Sequence, residues 1–393
     1  IVAMGFSGSK NLQELSSRVH PAYGVFFTAL LYLTIGPFFA APRTGTVAYE
    51  VGISSLFPEA DPKTGLLIFT ILFFAVALVF SLNPKKIVNN VGKVLAPALV
   101  ILLIVLLGAA FINPIGEAGE PQTAYVEGPF VKGFLEGYNT MDALASLVFG
   151  IIVINAIRAL GVTNKGDILR ATVRSGVVAT ALLGVIYLGI AYLGSTTTET
   201  LGLFENGGPV LSGAANYYFG IFGSVMLAIL IILACLTTAI GLIIANAEYF
   251  HTLFPKISYK TLVVFFTLLT FTIANFGLTN IITYSVPVLM FLYPLAIVLI
   301  ALTFLSPLFL HSRIVYVAAT SVTFLISTVD GLKTLCSSLG IEYYSWLEPI
   351  VSFYEEYLPL YTQGLGWLVP FIAVTLVSGV LVRFQKVTTV AKA

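Results

Sequence analysis

Ten apolar segments, each about long enough to cross a bilayer as a helix, dominate this chain and limit what it can fold into. A helix needs about 20 residues to cross about 30 Å of hydrocarbon. β-Barrels use shorter strands of alternating polarity, whereas these segments are apolar on every side, so helices are required. The segments lie near residues 22–42, 65–82, 94–112, 139–160, 170–194, 219–247, 261–276, 281–306, 313–330 and 364–383. The sequence therefore predicts an all-α polytopic membrane protein.

The basic residues of the connecting loops alternate in density along the chain. Of the 19 Lys and Arg residues, 15 lie in alternate loops and in the C-terminal tail, and only four lie in the remaining loops, which are acidic. Lys and Arg are retained on the cytoplasmic side of membrane proteins. The basic stretches are 7–21, 83–93, 158–174, 248–260, 311–313 and 383–393. This pattern predicts that the first loop and the C-terminus both face the cytoplasm.

The composition excludes several classes of function. Apolar residues make up 58% of the chain and charged residues 9%, against about 25% charged in soluble domains. A net charge of +1 argues against nucleic-acid binding, because the basic residues are used for orientation. The sequence has no pairing of a nucleophile with a base, no P-loop and no ATP-binding domain. It therefore predicts no enzyme and no cofactor, and it favours secondary transport without an ATPase subunit.

Residues 1–393 are predicted to form a single transmembrane domain. Ile1 to Met4 look like the end of a preceding helix, so residues 1–6 are expected to be a stub of a span missing from this chain. The longest outer connection, 331–363, interleaves aromatic rings with four glutamates, which suits the headgroup layer. It is predicted to contain a short surface helix. The alternative is a lid without regular structure.

Glycine and proline residues interrupt two of the apolar segments. Gly36, Pro37 and Pro42 lie in the first segment, and two prolines lie in the eighth. Such interruptions free backbone groups that lipid cannot satisfy, so they have to face protein or water, as they do in channels and transporters. Arg43 and Glu50 are two turns apart and could pair if the first helix continues. The favoured alternative ends this span at Ala41 and leaves both charges in outer water.

The best candidates for a ligand site lie at the start of the fourth segment, within Gly137–Ala143. An interruption there would expose carbonyl groups for a cation or ammonium group, together with a new helix N-terminus that favours a carboxylate. Asn139, Thr140 and Asp142 would lie at one depth. The alternative is that Asp142 caps a continuous helix at the outer interface.

Two adjacent hydroxyls, Thr237 and Thr238, lie in the sixth segment within the stretch Cys235–Gly241. Together with carbonyl groups, they could supply oxygen ligands to a sodium ion. The alternative is close helix packing, with each hydroxyl bonded to a carbonyl one turn back. Asn155, Asn246 and Asn275 are each expected to link helices before they serve as ligands.

Four stretches together resemble the bacterial branched-chain amino acid:cation symporters: GPFFAAPRTGTVAYEVG (36–52), GYNTMDALASLVFG (137–150), CLTTAIGL (235–242) and LPLYTQGLGWLVP (358–370). The resemblance covers essentially the whole chain. It implies a leucine-transporter-like bundle built from two inverted repeats of five helices, in a bacterial cytoplasmic membrane. It also implies uptake of Leu, Ile and Val coupled to sodium.

The resemblance assigns a place to each segment. Segments within 22–306 correspond to helices three to ten of that fold, and those within 313–383 correspond to two peripheral helices. The fourth segment becomes the broken helix six, and the sixth becomes helix eight, which carries a sodium-binding hydroxyl pair, here Thr237 and Thr238. The substrate residues implied are Asn139, Thr140, Met141, Asp142, Ala143, Leu144 and Leu147, with Val148 beside them.

One part of the family pattern has no counterpart in this sequence. Family members open with a broken helix that contains a glycine-rich stretch followed by Phe-Pro-Pro, and no segment here matches it. Half of the expected substrate pocket would then be missing, so the chain as written is expected not to transport. Proton-coupled transport, an uncoupled channel and an amino-acid sensor stay open as alternatives.

Overall fold

The computed structural model describes residues 2–57, 59, 61–83, 88–121, 123–126, 128–342 and 345–391, and backbone alone for 88–96, 123–124 and 386–391. Within these ranges the chain forms sixteen α-helices and no strand. The helices, numbered α1 to α16 in order, are Val2–Ser7, Leu12–Ser16, Pro21–Leu33, Ala40–Val47, Pro62–Leu82, Val88–Ile112, Thr123–Val126, Pro129–Glu136, Asp142–Ala159, Lys165–Leu201, Gly207–Leu253, Tyr259–Ala274, Leu278–Leu305, Arg313–Leu339, Glu348–Tyr357 and Leu368–Ala391.

Each of the ten apolar segments coincides with a helix. Eight helical stretches are long and apolar enough to cross a membrane by length and composition: Pro21–Ser54, Pro62–Leu82, Asp142–Ala159, Lys165–Leu201, Gly207–Leu253, Leu278–Phe309, Arg313–Leu339 and Leu368–Gln385. The apolar helices Pro97–Ile112 and Tyr259–Ala274 are shorter. The prediction of an all-helical chain is confirmed for the described residues. The number and length of the apolar helices are those of a multi-pass membrane protein. Ten full crossings stay a prediction.

The chain separates into two compact units. The first comprises Ile1–Leu31, Thr123–Val178 and Thr283–Ala393, and the second comprises Tyr32–Gln122 and Ala179–Ile282. The second unit has two buried apolar clusters, one between α5, α11 and α12 and one between α6 and α11. Buried aromatic and aliphatic side chains make these contacts, for example Phe74 and Phe266. The candidate residues of the fourth segment lie in the first unit, and Thr237 and Thr238 lie in the second.

The first membrane-length stretch continues well beyond the end predicted at Ala41. After α3 comes a π-helical segment, Thr34–Phe38, in which Gly36 has non-helical dihedral angles. The helix then resumes as α4 and continues through a second π-helical segment, Ala48–Ser54. Pro42 is the third residue of α4, where a missing N–H costs nothing because first-turn N–H groups have no partner. The prediction that the span ends at Ala41 is therefore wrong.

The continuation of this helix also changes the surroundings of Arg43 and Glu50. Both side chains are half-buried on the continued helix and do not lie in open solvent. The Asn206 side chain and the Leu278 backbone N–H face the Glu50 carboxylate within the second unit. A charged group this far along a membrane-length helix is stabilised by such polar contacts.

The segment predicted to be the outer connection 331–363 contains the expected helix, α15. Its residue Val351 packs with Val329, Leu347 and Tyr361 in a small apolar cluster of the first unit. Tyr343 and Tyr344 lie outside the described residues. α14 ends at Leu339. The residue that follows, Gly340, caps the helix with a φ of 63°, a left-handed conformation that glycine adopts easily. The predicted boundary at residue 330 is thus nine residues too early, and Asp330 lies inside the helix.

Candidate functional site

The helical path between Pro129 and Ala159 is interrupted where the sequence predicts it. α8 ends at Glu136, a single 3₁₀ turn occupies Gly137–Thr140, and Met141 adopts a left-handed conformation with φ 59°. A non-glycine residue in this conformation costs about 1–2 kcal/mol, so the surrounding packing has to hold it. Met141 is accordingly buried. Asp142 is the first residue of α9 rather than its N-cap, because Met141 occupies the N-cap position.

Polar groups surround this interruption. The Asn139 side-chain amide donates to Glu136 Oε2 at 2.8 Å. Thr140 Oγ1 donates to the Gly137 carbonyl at 2.8 Å and lies 3.4 Å from the Asp142 backbone nitrogen. Thr140 is exposed, and Asn139 and Asp142 are half-buried. Hydroxyl and carboxylate groups are therefore accessible at the start of α9, where the helix dipole favours an anion.

An ion pair fixes the end of the preceding helix. Lys132 Nζ lies 2.9 Å from Glu136 Oε1, one turn apart on α8. Partial burial raises the pKa of Glu136, but hydrogen bonds from Lys132 and Asn139 outweigh that effect and hold it below its ordinary value. The carboxylate is therefore ionised at neutral pH and keeps Asn139 in place.

Aromatic side chains pack beneath the interruption in the first unit. The rings of Tyr138 and Tyr293 stack with centroids 4.2 Å apart. The Tyr293 hydroxyl faces the Thr140 side chain and the Ala143 backbone N–H, and Trp367 faces the Tyr138 hydroxyl. Burial raises the pKa of Tyr138, so its hydroxyl stays protonated. No local pattern in the sequence predicts these contacts, because they join residues 150 or more positions apart.

The apolar residues predicted for the substrate pocket are packed inside the protein. Leu144 and Leu147 have no exposed surface, and Val148 is also buried. Ala143 is half-buried next to Asp142. In this conformation the leucines contact protein, and they would meet a ligand only after the site opens.

Thr237 and Thr238 lie on an unbroken stretch of α11. Both hydroxyls donate to the same carbonyl, that of Ala234, at 2.9 Å. This is the bonding expected for hydroxyls in a membrane helix. Each oxygen still has lone pairs, and Thr238 is exposed whereas Thr237 is half-buried. The geometry is therefore compatible with packing and with a cation ligand.

Two of the asparagines join helices, as expected from the sequence. Asn275 Oδ1 accepts a hydrogen bond from Thr70 Oγ1 at 3.3 Å, which links α12 to α5. Asn246 is completely buried, donates to the Leu242 carbonyl at 2.9 Å, and packs against Gly36 at the kink of the first stretch. Both contacts lie inside the second unit.

Comparison with known proteins decides the family. The model of the family described as branched-chain amino acid transport protein matches residues 1–385. The chain belongs to this family. Its members are membrane transporters and not enzymes.

Named relatives cover nearly the whole chain. It is 44% identical over 389 residues to the branched-chain amino acid permease BrnQ of Bacillus subtilis, covering 99% of this chain and 87% of that protein. It is 46% identical to a BrnQ permease of Lactobacillus delbrueckii, covering 97% and 86%. It is 41% identical to the branched-chain amino acid transport system 2 carrier protein of Pseudomonas aeruginosa, covering 97% and 84%.

Proposed function

We propose that this protein carries leucine, isoleucine and valine into the cell by sodium-coupled symport and alternating access. The observation that carries the proposal is its similarity, over 97–99% of the chain, to relatives named as branched-chain amino acid permeases and carriers. The interrupted helix at Gly137–Met141 supports it, because interruptions at membrane depth occur where a helix lines a ligand cavity.

The substrate is proposed to bind at the start of α9. Its ammonium group would meet the Asp142 carboxylate and the carbonyl and side-chain oxygens of Asn139, Thr140 and Met141. Its carboxylate would approach the backbone N–H groups of the first turn of α9 near Ala143, on the side away from Asp142. The branched side chain would contact Leu144 and Leu147 once the site opens. An apolar pocket separates substrates that differ by one methylene by only about 1–3 kcal/mol, so similar affinities for the three amino acids are expected.

The coupling ion is proposed to be sodium, bound at Thr237 and Thr238 together with carbonyl oxygens. An inward gradient supplies the work, since one charge moved across 100 mV is worth about 2.3 kcal/mol. The leucine-transporter-like arrangement of inverted repeats and a cytoplasmic C-terminus in a bacterial cytoplasmic membrane are part of the same proposal. They are supported by the family resemblance and by the loop charges.

The deciding experiment measures uptake of radiolabelled isoleucine into proteoliposomes that contain the full-length parent protein, because residues 1–393 alone are expected not to transport. An inward sodium gradient is compared with choline replacement and with a proton gradient alone. Concentrative uptake that requires sodium is the expected result. Uphill uptake with a proton gradient alone would replace sodium as the coupling ion. No accumulation under any gradient would reject coupled transport and favour a channel or a sensor.

Two substitutions test the proposed sites in the same assay. Thr238→Ala is expected to raise the sodium concentration for half-maximal uptake without changing the affinity for isoleucine at saturating sodium. Asp142→Asn is expected to weaken isoleucine binding or its coupling to sodium. An unchanged sodium dependence in the first variant, or wild-type transport in the second, would remove that residue from its site.

A further inference from the structure

A cavity of about 940 Å³ lies inside the first unit, between α8, α14 and the turn that precedes α16. Its volume falls in the range of about 300–1,000 Å³ that is typical of small-molecule sites. Part of the lining is apolar and consists of Val131, Leu135 and Met290. The rest is polar and includes the charged residues Lys132, Asp330 and Lys333. We call this space the Asp330 cavity.

Asp330 is unusual among the lining residues because it is a buried carboxylate. Its side chain lies on a membrane-length helix and is only 5% exposed. Its buried oxygen Oδ2 makes no hydrogen bond of ordinary geometry within the described residues, although the Tyr361 hydroxyl faces the carboxylate and the charge of Lys333 lies near enough to stabilise it. A buried carboxylate is costly unless it is paired. Its position at a cavity wall indicates that the pairing group is a ligand.

The nearest lysine on the same helix already has another carboxylate partner. Lys333 Nζ lies 2.7 Å from Glu355 Oε1 and 5.0 Å from the centroid of the Tyr361 ring. These contacts direct its ammonium group toward α15. Asp330 therefore has room for a second cationic group on the cavity side.

The charges of the lining indicate what that ligand carries. Lys132 and Lys333 line the same cavity as Asp330, and each ammonium group has three donors, of which one is used on a glutamate. Asp330 attracts a cationic group, and the unused ammonium donors of the two lysines suit an acceptor such as a carboxylate. A molecule that carries both groups satisfies both, and its apolar part would contact Val131, Leu135 and Met290.

We propose that the Asp330 cavity binds a zwitterionic α-amino acid with an apolar side chain, at a site separate from the transport site. Asp330 and Tyr361 hold the ammonium group, Lys132 and Lys333 face the carboxylate, and Val131, Leu135 and Met290 contact the side chain. The choice of amino acid rests on the proposed function. The site itself rests on the chemistry of the cavity walls.

The test measures occupancy of the cavity by protection of an introduced thiol. Ser337→Cys places a reporter on an exposed lining position of α14, in a background where Cys235 and Cys336 are replaced by alanine. The rate of labelling by a maleimide is measured on purified protein with increasing L-isoleucine. Leu339→Cys, exposed on the same helix and absent from the cavity lining, is the matched reporter. Isoleucine is expected to slow labelling at position 337 and leave position 339 unchanged.

The charge requirement is tested on the same reporter. Asp330→Asn is expected to raise the isoleucine concentration for half-protection by about tenfold or more, the worth of one charged hydrogen bond. Asp167→Asn, which removes an exposed carboxylate paired with Arg170, is expected to leave it unchanged. Isopentylamine and isovalerate, which carry one charge each, are expected to protect weakly.

Three results would overturn the proposal: no protection by isoleucine, protection unaffected by Asp330→Asn, or equal protection by isopentylamine, which would indicate a cation site. If Asp330→Asn does not purify as folded protein, Tyr361→Phe takes its place. Gln363→Cys, in the turn that precedes α16, then serves as a second reporter on the cavity lining. Uptake into proteoliposomes is scored separately. Loss of transport with protection retained rejects the proposed function and leaves this site standing.

Discussion

The helix interruption at Gly36 in the second unit and the one at Gly137–Met141 in the first unit are built in opposite ways. At Gly36 the non-helical residue and its neighbours are buried, and the amide of Asn246 occupies the space beside the glycine. At Gly137–Met141 a 3₁₀ turn and a left-handed residue leave Thr140 exposed and Asp142 half-buried. Both interruptions free backbone groups. The first fills its gap with a side chain of the same unit, whereas the second presents polar groups that a ligand can reach.

The accessibility of polar groups distinguishes an interruption that stabilises the fold from one that can bind a ligand. A kink closed by a buried side chain gains rigidity from packing, because the Asn246 amide fills the space beside Gly36 and is held by its hydrogen bond to the Leu242 carbonyl. An interruption with accessible hydroxyl and carboxylate groups has unused hydrogen-bonding capacity. On this criterion the ligand site of the described residues belongs to the second interruption, and the first supports the fold.

The largest effect on stability is expected from Leu144, whose buried side chain anchors α9 just after the accessible interruption. Leu144→Ala should reduce the free energy of unfolding by about 2–5 kcal/mol, because a completely buried side chain leaves a cavity. Thermal unfolding of the purified protein without substrate measures it. Ile152→Ala on the same helix is the control, since Ile152 is 55% exposed. Equal melting temperatures for the two variants would show that Leu144 does not anchor α9.

The interruption at Gly36 should not tolerate a larger residue at position 36. A Cβ at position 36 would collide with the Asn246 amide, so Gly36→Ala should cost about 1–3 kcal/mol. Combining it with Asn246→Ala should restore much of the loss by removing the collision.

Gly241→Ala on α11 is the control for this pair, because a Cβ there meets nothing within 4 Å. A helical glycine replaced by alanine is expected to be neutral or stabilising. If Gly36→Ala melts at the wild-type temperature, the kink is not closed by Asn246.

The smallest effect concerns the ion pair that precedes the accessible interruption. The pKa of Glu136 is lowered in the folded protein, so its contribution is present at neutral pH and is lost as the pH falls through that lowered pKa. Glu136→Gln should therefore cost about 0.5 kcal/mol or less at neutral pH, because the pair is partly exposed. In acid the variant and the wild type should unfold at the same temperature. A difference that persists in acid would contradict this assignment.

The sequence predicted the helices well because length and continuous apolarity are local properties. It also located the interruptions at Gly36-Pro37 and in the polar run after Gly137, but it did not predict the non-helical Gly220 inside α11. It misplaced the boundaries at Ala41 and at residue 330, where a proline and a charged residue suggested an end. Pro42 falls in the first turn of a resumed helix, and Asp330 lies within α14, so neither ends its helix.

Other parts of the candidate site depend on tertiary contacts that no local pattern encodes. Tyr293 meets Thr140 only because α13 packs beside the 3₁₀ turn, and Asp330 meets Tyr361 only because the chain returns after α15. The sequence signal that could have found Asp330 is its position within an otherwise apolar helix. Treating it as the end of the span concealed it.

The placement of Trp367 gives the protein a built-in optical probe. The chain has two tryptophans: Trp367 is 2% exposed and faces Tyr138, whereas Trp346 is 55% exposed. A water-soluble quencher such as iodide would silence Trp346 and leave the emission of Trp367. The remaining fluorescence would then follow any movement of the 3₁₀ turn, in real time and without an added label.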